Sequence, residues 1–425
     1  MFLDKIVDIF KNRELRRKLL FVLMIFVIFR LAASIPIPGV NHAQLEKLFS
    51  GSQLLGFLNV LTGGTLSNFS IVLLGIGPYI TSVIILQLST MIFPKLERLY
   101  KEEGPEGRRK FNQYGRMLTV PLAAIQGYGM LALLQSQNII GSLGTVGLIS
   151  YLTTVIAGAV FLMWLGELIN EKGIGNGISL LIFAGIVARL PSALMQTIST
   201  WDPQKAPLYL AFLVIALAMI ALVVLVNESR RNIPVSYAKQ IRGRKVYGGT
   251  SSYLPINVNP AGVLPVIFAS AFLMFPQVLT QLLAQGGGFF ATLNQKVAWF
   301  LGNPWLYGSA FFLLVVAFTF FYTMITFDPE QISSNLQSSG GFIPGVRPGQ
   351  PTSEYLNYVL NRILTIGAIF LGFIAVMPSI VQGITKIQSF SFLIGGTALI
   401  IMVSVVLDTY RKIKAQQEMR QYENI

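Results

Sequence analysis

The sequence predicts an all-α polytopic membrane protein that crosses a bilayer as about ten transmembrane helices. Hydrophobic residues make up 53% of its 425 residues and charged residues only 12%, about half the charged share of an average soluble protein. The apolar residues are grouped in ten blocks of about 20 residues, a length that crosses a hydrocarbon layer about 30 Å thick. The positive charges fall between alternate pairs of blocks. Together these observations favour a membrane bundle over several soluble domains.

The apolar blocks alternate with polar stretches that contain most of the charged residues. Three ionisable residues, Arg30, Glu167 and Arg189, lie inside the blocks. We expect each of them near the end of its span, where a long side chain can reach water. The ten blocks cover residues 19–36, 71–93, 117–134, 146–168, 178–198, 208–226, 261–283, 306–327, 363–380 and 390–407.

The distribution of Lys and Arg predicts the orientation of the spans. If every block crosses the membrane, 26 of the 32 Lys and Arg residues lie on the side of the two termini. An excess of positive charge marks the cytoplasmic side of a membrane protein, so both termini are predicted to be cytoplasmic. The asymmetry also accounts for the net charge of +14 without a nucleic-acid-binding domain.

The order of the blocks indicates two halves, residues 1–200 and 201–425, with five blocks each. An odd number of spans per half gives the halves opposite orientations, the arrangement of inverted repeats around a path through the membrane. In the first half, Gly75 and Gly77 stand beside Pro78. Because proline and glycine disturb a helix, the second span is predicted to bend or to start irregularly there.

The segment 54–70 differs from the ten blocks. It is apolar enough to enter a membrane, but it is too short to cross one and is interrupted by Gly63 and Gly64. Its length is typical of a re-entrant or interfacial segment. A helix of an external loop that lies on the membrane surface is the alternative.

The sequence gives no support for catalysis. It has no Cys and a single histidine, His42, which we expect to be solvated, so neither a disulfide framework nor a thiolate or multi-histidine metal site is predicted. It also lacks a P-loop and an H-E-x-x-H motif, and none of its blocks contains Asp. We therefore predict a protein that is not an enzyme and that has no catalytic residue, metal or cofactor.

Nine short motifs resemble the SecY family, the channel subunits of the bacterial protein translocase. They follow the family order and lie at the boundaries of the spans. The resemblance covers nearly the whole chain. The motifs are IPIPG at 35–39, GGTLS at 63–67, LGIGPYI at 74–80, EGRRK at 106–110, FLMWLGE at 161–167, GIGNGIS at 173–179, IFAGI at 182–186, NPAGV at 259–263 and FIPGVRPG at 342–349.

The resemblance implies an hourglass-shaped channel that is closed at its waist by a ring of aliphatic side chains. An apolar constriction can lose its water and block ions, and it still closes around a passing chain of any sequence. Two pairs of ring residues are spaced by four, which puts both members on one helix face. The last position is Ile401 or its neighbour Ile400. Matched motif by motif, the ring consists of Ile80, Ile84, Ile182, Ile186, Ile267 and Ile401.

By the same resemblance, the segment 57–70 is the plug, a short re-entrant helix that seals the external funnel. The second and seventh spans form the lateral gate. The plug residues are Phe57, Leu58, Asn59, Val60, Leu61, Thr62, Gly63, Gly64, Thr65, Leu66, Ser67, Asn68, Phe69 and Ser70.

The two long basic-side loops, 227–260 and 328–362, are predicted to contact partners. In the first, Arg242, Arg244 and Lys245 lie near the tip of a predicted hairpin, where they suit RNA phosphates or the acidic surface of a motor protein. Fixing the topology is the alternative role for these charges. In the second loop, Arg347 stands between two Pro-Gly turns. The resemblance implies that it contacts the SecA ATPase or the translating ribosome.

The function implied by the resemblance is a passive channel in the bacterial cytoplasmic membrane. It would translocate unfolded secretory polypeptides and release membrane segments sideways into lipid. The implied partners are SecE, SecG, SecA, the ribosome, signal-sequence-bearing preproteins and membrane lipids. An inverted-repeat solute transporter and a non-conducting scaffold are the alternatives. The first would need a polar site near the midplane, and the second would leave the segment 57–70 without a role.

Overall fold

Each of the ten apolar blocks contains a helix in the part of the chain that the computed structural model describes. That part comprises residues 12–38, 62, 64–66, 68–136, 139–141, 144–199, 203, 206–237, 240–242, 245–247, 251–284, 289–385 and 396–423. Within these ranges each predicted block contains one long helix. The predicted fold class, an all-α polytopic membrane protein, is therefore confirmed.

The first half contains six described helices, and five of them correspond to predicted spans. The short helix α3 joins the second and third spans and is bent by 111° from α2. Both α2 and α3 have a proline in their first turn, the position at which a helix tolerates proline. The helices are α1 (Arg13–Ser34), α2 (Gly77–Ile92), α3 (Pro94–Lys101), α4 (Gly104–Ser136), α5 (Thr145–Lys172) and α6 (Gly177–Ser199).

The second half mixes its described helices with five short strands. Two of these helices, α9 and α11, fall outside the predicted spans. The elements are α7 (Ala206–Glu228), β1 (Arg230–Tyr237), β2 (Gln240–Arg242), β3 (Lys245–Tyr247), β4 (Ser251–Asn257), α8 (Leu264–Ala284), α9 (Phe289–Gly302), α10 (Pro304–Thr326), α11 (Pro329–Ser338), β5 (Gly341–Phe342), α12 (Gln350–Thr385) and α13 (Gly396–Glu423).

Length and apolarity alone identify a smaller set of membrane-crossing helices. Among the described residues, five helical stretches meet both criteria, and the bent pair α2 and α3 makes a sixth if it is counted as one span. The apolar parts of α6 and α8 are shorter than these stretches. The five stretches are Gly104–Gln135, Thr145–Lys172, Tyr209–Glu228, Pro304–Ser338 and Gln350–Met377.

The second span starts irregularly, as its Gly and Pro residues predict. Residues 71–76 form turns, and the helix begins only at Gly77. Gly75 has a φ of +57°, and a Cβ at this position would lie 3.0 Å from the Thr62 side chain. Glycine is therefore required here both by the backbone conformation and by the close approach of residue 62.

Most of the buried apolar side chains form one core that includes residues from both halves. The helix α8 of the second half packs against α2 and α4 of the first, and α13 packs against α6. Across the first half, Arg116 of α4 forms an ion pair with Glu167 of α5. The Glu167 carboxylate is therefore held by a neighbouring helix, while its side chain is still 19% exposed.

The two long basic-side loops fold together into a small separate unit. Strand β1 pairs antiparallel with β4 and also with β5, which gives the order β4-β1-β5. This sheet packs with α11 and the start of α12 over an apolar cluster that includes Ile233, Val235, Ile256, Ile343 and Leu356. The loops 227–260 and 328–362 are thus one structural unit and not two independent loops.

Candidate functional site

The proposed ring residues lie on four helices that meet in the apolar core. Ile80 and Ile84 are on α2, Ile182 and Ile186 on α6, Ile267 on α8 and Ile401 on α13. Ile80 is half-buried, and the other five are buried. Ile400 and Ile401 are both completely buried, so burial does not choose between these neighbours.

A narrow cavity brings three of the ring residues together with the predicted plug. Its volume is about 60 Å³, and Ile80, Ile182 and Ile267 face it together with Thr62 and Leu66. A space of this size holds a few water molecules at most. Ile84, Ile186 and Ile401 do not line it. Three proposed ring residues and two residues of the predicted plug thus share one mostly apolar cavity.

The described part of the plug consists of turns and is firmly attached to its surroundings. Thr65, Leu66, Phe69 and Ser70 are buried, and the Phe69 ring stacks on Tyr151 with their centroids 5.9 Å apart. The predicted plug helix cannot be followed further, because residues 57–61, 63 and 67 lie outside the described residues. The end of the segment that precedes α2 is part of the protein core.

Backbone hydrogen bonds connect this end of the plug to the chain that leaves α1. Ile37 N–H donates to the Phe69 carbonyl at 2.8 Å, and Ile71 N–H donates to the Ile35 carbonyl at 3.0 Å. These bonds flank an antiparallel bridge between Pro36 and Ser70. Residues 35–37 of the IPIPG motif therefore hold the end of the predicted plug through an isolated bridge and two hydrogen bonds.

Arg189 of α6 lies against the plug. A Cβ on Gly64 would lie 3.4 Å from the Arg189 Cδ and Nε atoms, so the arginine side chain passes directly over this glycine. Its Nη1 atom is buried, and no residue that the structure describes accepts a hydrogen bond from it. The expectation that Arg189 reaches water at the end of its span is therefore wrong for this atom.

The helix α8 packs against α2, its partner in the predicted lateral gate, and also against α4. On the cavity side, Gln126 Nε2 of α4 donates to Thr81 Oγ1 of α2 at 3.3 Å. Ser82 Oγ of α2 donates to the Gly115 carbonyl of α4 at 2.8 Å. The helices α2 and α4 are thus joined by hydrogen bonds, and α8 packs against both of them.

A polar network at the basic-loop end of the pore was not predicted. Asn259, in the turn before α8, donates through Nδ2 to Asn227 Oδ1 of α7 at 3.0 Å. Asn227 Nδ2 donates to Ser404 Oγ of α13 at 2.8 Å. Arg411 Nη2 donates to the Asn227 carbonyl at 2.7 Å and to Glu228 Oε1 at 2.8 Å. The NPAGV motif contains Asn259, but its spacing alone does not identify partners on two distant helices.

The basic loops present two of the predicted contact sites. Strands β2 and β3 form the predicted hairpin, in which Arg242 pairs with Lys245; Arg244 lies outside the described residues. Arg347 is exposed in the turn after β5, between Gly345 and Gly349, whose φ angles are +84° and +94°. Thr352 Oγ1 donates to the Arg347 carbonyl at 2.8 Å, so this turn is fixed at its base.

Comparison with known proteins gives matches over almost the whole chain. The family model described as SecY matches residues 70–410. A Streptomyces galbus protein named "Protein translocase subunit SecY" is 44% identical over 97% of each chain. A solved structure described as "The structure of a protein conducting channel" has a TM-score of 0.67 at 20% identity, and it covers 95% of this chain and 92% of the other. "Sec61 in the Canine ribosome-channel complex from the endoplasmic reticulum" has a TM-score of 0.64 at 19% identity over the same shares.

Proposed function

The chain belongs to the SecY family of protein translocase subunits, and from this premise we propose that its pore is closed by the six isoleucines and sealed by the segment 57–70. It is a multi-pass membrane protein and a protein-conducting channel. The proposal concerns the residues of this chain that would perform this function and the partners that would drive it.

The cavity shared by the ring and the plug carries the proposal. Ile80, Ile182 and Ile267 come from three helices, and they meet Thr62 and Leu66 of the plug around a space of about 60 Å³. An apolar space so narrow opposes the passage of hydrated ions, because their water has few partners there. A polypeptide would have to displace the plug and part the isoleucines.

The lateral gate would lie where α8 meets α2. These helices belong to different halves of the chain, 1–200 and 201–425, so a relative movement of the halves would separate them. A signal sequence could then place its apolar helix between α2 and α8, and membrane segments could leave the pore into lipid. Pro276 inside α8 removes one helical hydrogen bond, which favours bending of this gate helix.

The energy for transport would come from partners. The related Sec61 channel is described in a complex with the ribosome, which supports the ribosome as a partner of this chain. SecA is the proposed motor, SecE the clamp around the two halves and SecG a third subunit. The exposed turn at Arg347 and the hairpin at Arg242, Arg244 and Lys245 are the proposed contacts for SecA and the ribosome. The proposed location is the bacterial cytoplasmic membrane, with both termini in the cytoplasm, because 26 of 32 positive side chains lie on that side.

The test is reconstitution of the protein with SecE in lipid vesicles, followed by addition of SecA, ATP and a radiolabelled preprotein. We expect a fraction of the preprotein to become resistant to external protease, and this resistance to depend on ATP and on the signal sequence. A solute transporter or a scaffold would leave the whole preprotein sensitive. Vesicles opened with detergent are the control, since protection by a membrane must disappear there.

A further inference from the structure

A second cavity adjoins the proposed ring on the side of the basic loops. Its volume is about 250 Å³, and Ser179, Asn259 and Ser404 are among the residues that line it. Ser179 precedes Ile182 by three residues on α6, and Ser404 follows Ile401 by three on α13. This spacing puts each serine on the same helix face as the ring residue, one turn away. The cavity therefore lies one helical turn from Ile182 and Ile401, and none of the proposed ring residues lines it.

The side-chain amide of Asn259 has one defined orientation. Its Nδ2 atom donates to Asn227 Oδ1 at 3.0 Å and to the Gly262 carbonyl at 3.1 Å. An NH₂ group has two hydrogens, and these two acceptors engage both of them. Rotating the amide by 180° would point its oxygen at the Gly262 carbonyl oxygen, which can only accept a hydrogen bond, so this carbonyl fixes the assignment.

The remaining atom of this amide, Oδ1, has no hydrogen-bond partner among the residues that the structure describes. The atom is buried, and Asn259 as a whole is 7% exposed. A buried acceptor without a donor is unfavourable, so such a group is usually completed by water or by a ligand. The group that would complete this one is an N–H or O–H donor.

The surroundings hold the acceptor in place. Asn227 is itself fixed by its bond to Ser404 Oγ and by Arg411, which donates to its carbonyl. Arg411 is in turn held by Glu228. The acceptor therefore sits in a preorganised frame made by α7, α13 and the turn before α8.

We propose that this cavity binds the extended main chain of the polypeptide that is being translocated, with Asn259 Oδ1 accepting a hydrogen bond from a backbone N–H. The inference rests on the proposed path through the ring. Every residue except proline carries a backbone N–H, so the contact suits a channel that must accept almost any sequence. Because this contact holds the polypeptide at the entrance of the channel, it slows backward sliding between successive ATP-driven steps of the motor.

The test uses translocation intermediates that place a tract of alanines or of prolines at the entrance of the channel. Each preprotein carries a folded C-terminal domain that stalls it in the channel. SecA and ATP drive the preprotein into vesicles that contain the full channel. ATP is then removed, and the loss of protease protection measures backward sliding. A single hydrogen bond corresponds to a change of about 2- to 10-fold in the rate, so we expect the alanine tract to slide back that much more slowly than the proline tract.

Variants separate the acceptor from the network around it. Asn259→Leu removes the acceptor, so the part of the rate difference between the two tracts that is due to backbone N–H groups should disappear. The part that is due to the stiffness of proline should persist. Ser404→Ala breaks the bond to Asn227 but leaves Asn259 Oδ1, so the difference should remain.

Equal rates for the two tracts in the parent protein would overturn the inference, and this comparison holds even if Asn259→Leu fails to accumulate. An undiminished difference in Asn259→Leu would also overturn it and would leave water as the partner of Oδ1. Both results require a parent protein that translocates. Failure of the parent to protect any preprotein would instead refute the proposed function itself.

Discussion

Replacing Ile182 by asparagine should open the resting channel. Ile182 is 3% exposed and lines the narrow cavity between the ring and the plug. Loss of a fully buried isoleucine removes about 1.5–3 kcal/mol of apolar stabilisation, and the new amide opposes drying of the constriction. In the proposed mechanism, this side chain and the plug share the cavity only in the closed state. A closed state that is weakened by about 2 kcal/mol shifts the equilibrium toward the open state by about 30-fold.

The measurements are resting ion conductance in planar bilayers and export of a preprotein with a defective signal sequence. Both should rise for Ile182→Asn. Two isoleucines of α12 provide matched controls, because neither lines the cavity. Ile366 is 69% exposed in the isolated chain, on the surface that lipid would cover, and Ile374 is 1% exposed in the core. Asparagine at either control position should lower protein abundance without increasing conductance.

The reasoning fails if Ile182→Asn behaves like Ile374→Asn. A fall in abundance with unchanged conductance and unchanged signal selectivity would make Ile182 an ordinary packing residue. The ring would then have to be assigned to other side chains.

Three further predictions concern the plug, the basic loops and the ion pair. Deleting residues 57–64 should raise resting conductance in bilayers with little change in the melting temperature. Phe69→Ala should instead destabilise the protein by about 3–5 kcal/mol in thermal unfolding, because it leaves a cavity in the core. Arg347→Glu should reduce SecA-driven protease protection at least tenfold while abundance stays at the parent level, because one exposed charge in a fixed turn is reversed. Arg116→Ala should lower stability by about 1–3 kcal/mol in the same unfolding assay, because Glu167 loses its charged partner; the added substitution Glu167→Gln should restore part of the loss.

The sequence was sufficient to predict the features that depend on local composition. A long apolar block is helical in a membrane because its backbone groups must be satisfied within the segment, and the described residues confirm this for all ten blocks. The irregular start of the second span follows from Gly75, Gly77 and Pro78 and is also confirmed. The hairpin in the loop 227–260 is confirmed by the pairing of Arg242 with Lys245.

Features that depend on distant partners were not predictable from one sequence. Strand β5 joins β1 across about a hundred residues, and its two residues carry no strand signal of their own. The partners of Asn259 are on α7 and within its own turn, and the network continues to α13. Arg189 was expected in water because its position along the chain is near a span end, but the fold packs it over Gly64.

The sheet on the basic-loop side gives the channel a mechanical linkage. Strand β1 continues directly from α7, and β4 leads into α8 through a short turn in which Val258 N–H donates to the Ser229 carbonyl at 3.0 Å. The turn also touches α12 closely, since a Cβ on Gly367 would lie only 2.4 Å from the Val258 carbonyl oxygen. A load applied to the sheet is therefore transmitted to the ends of α7 and α8 and to the side of α12 at the same time. A movement of the sheet would in this way reach α8, the helix that we propose to border the lateral gate.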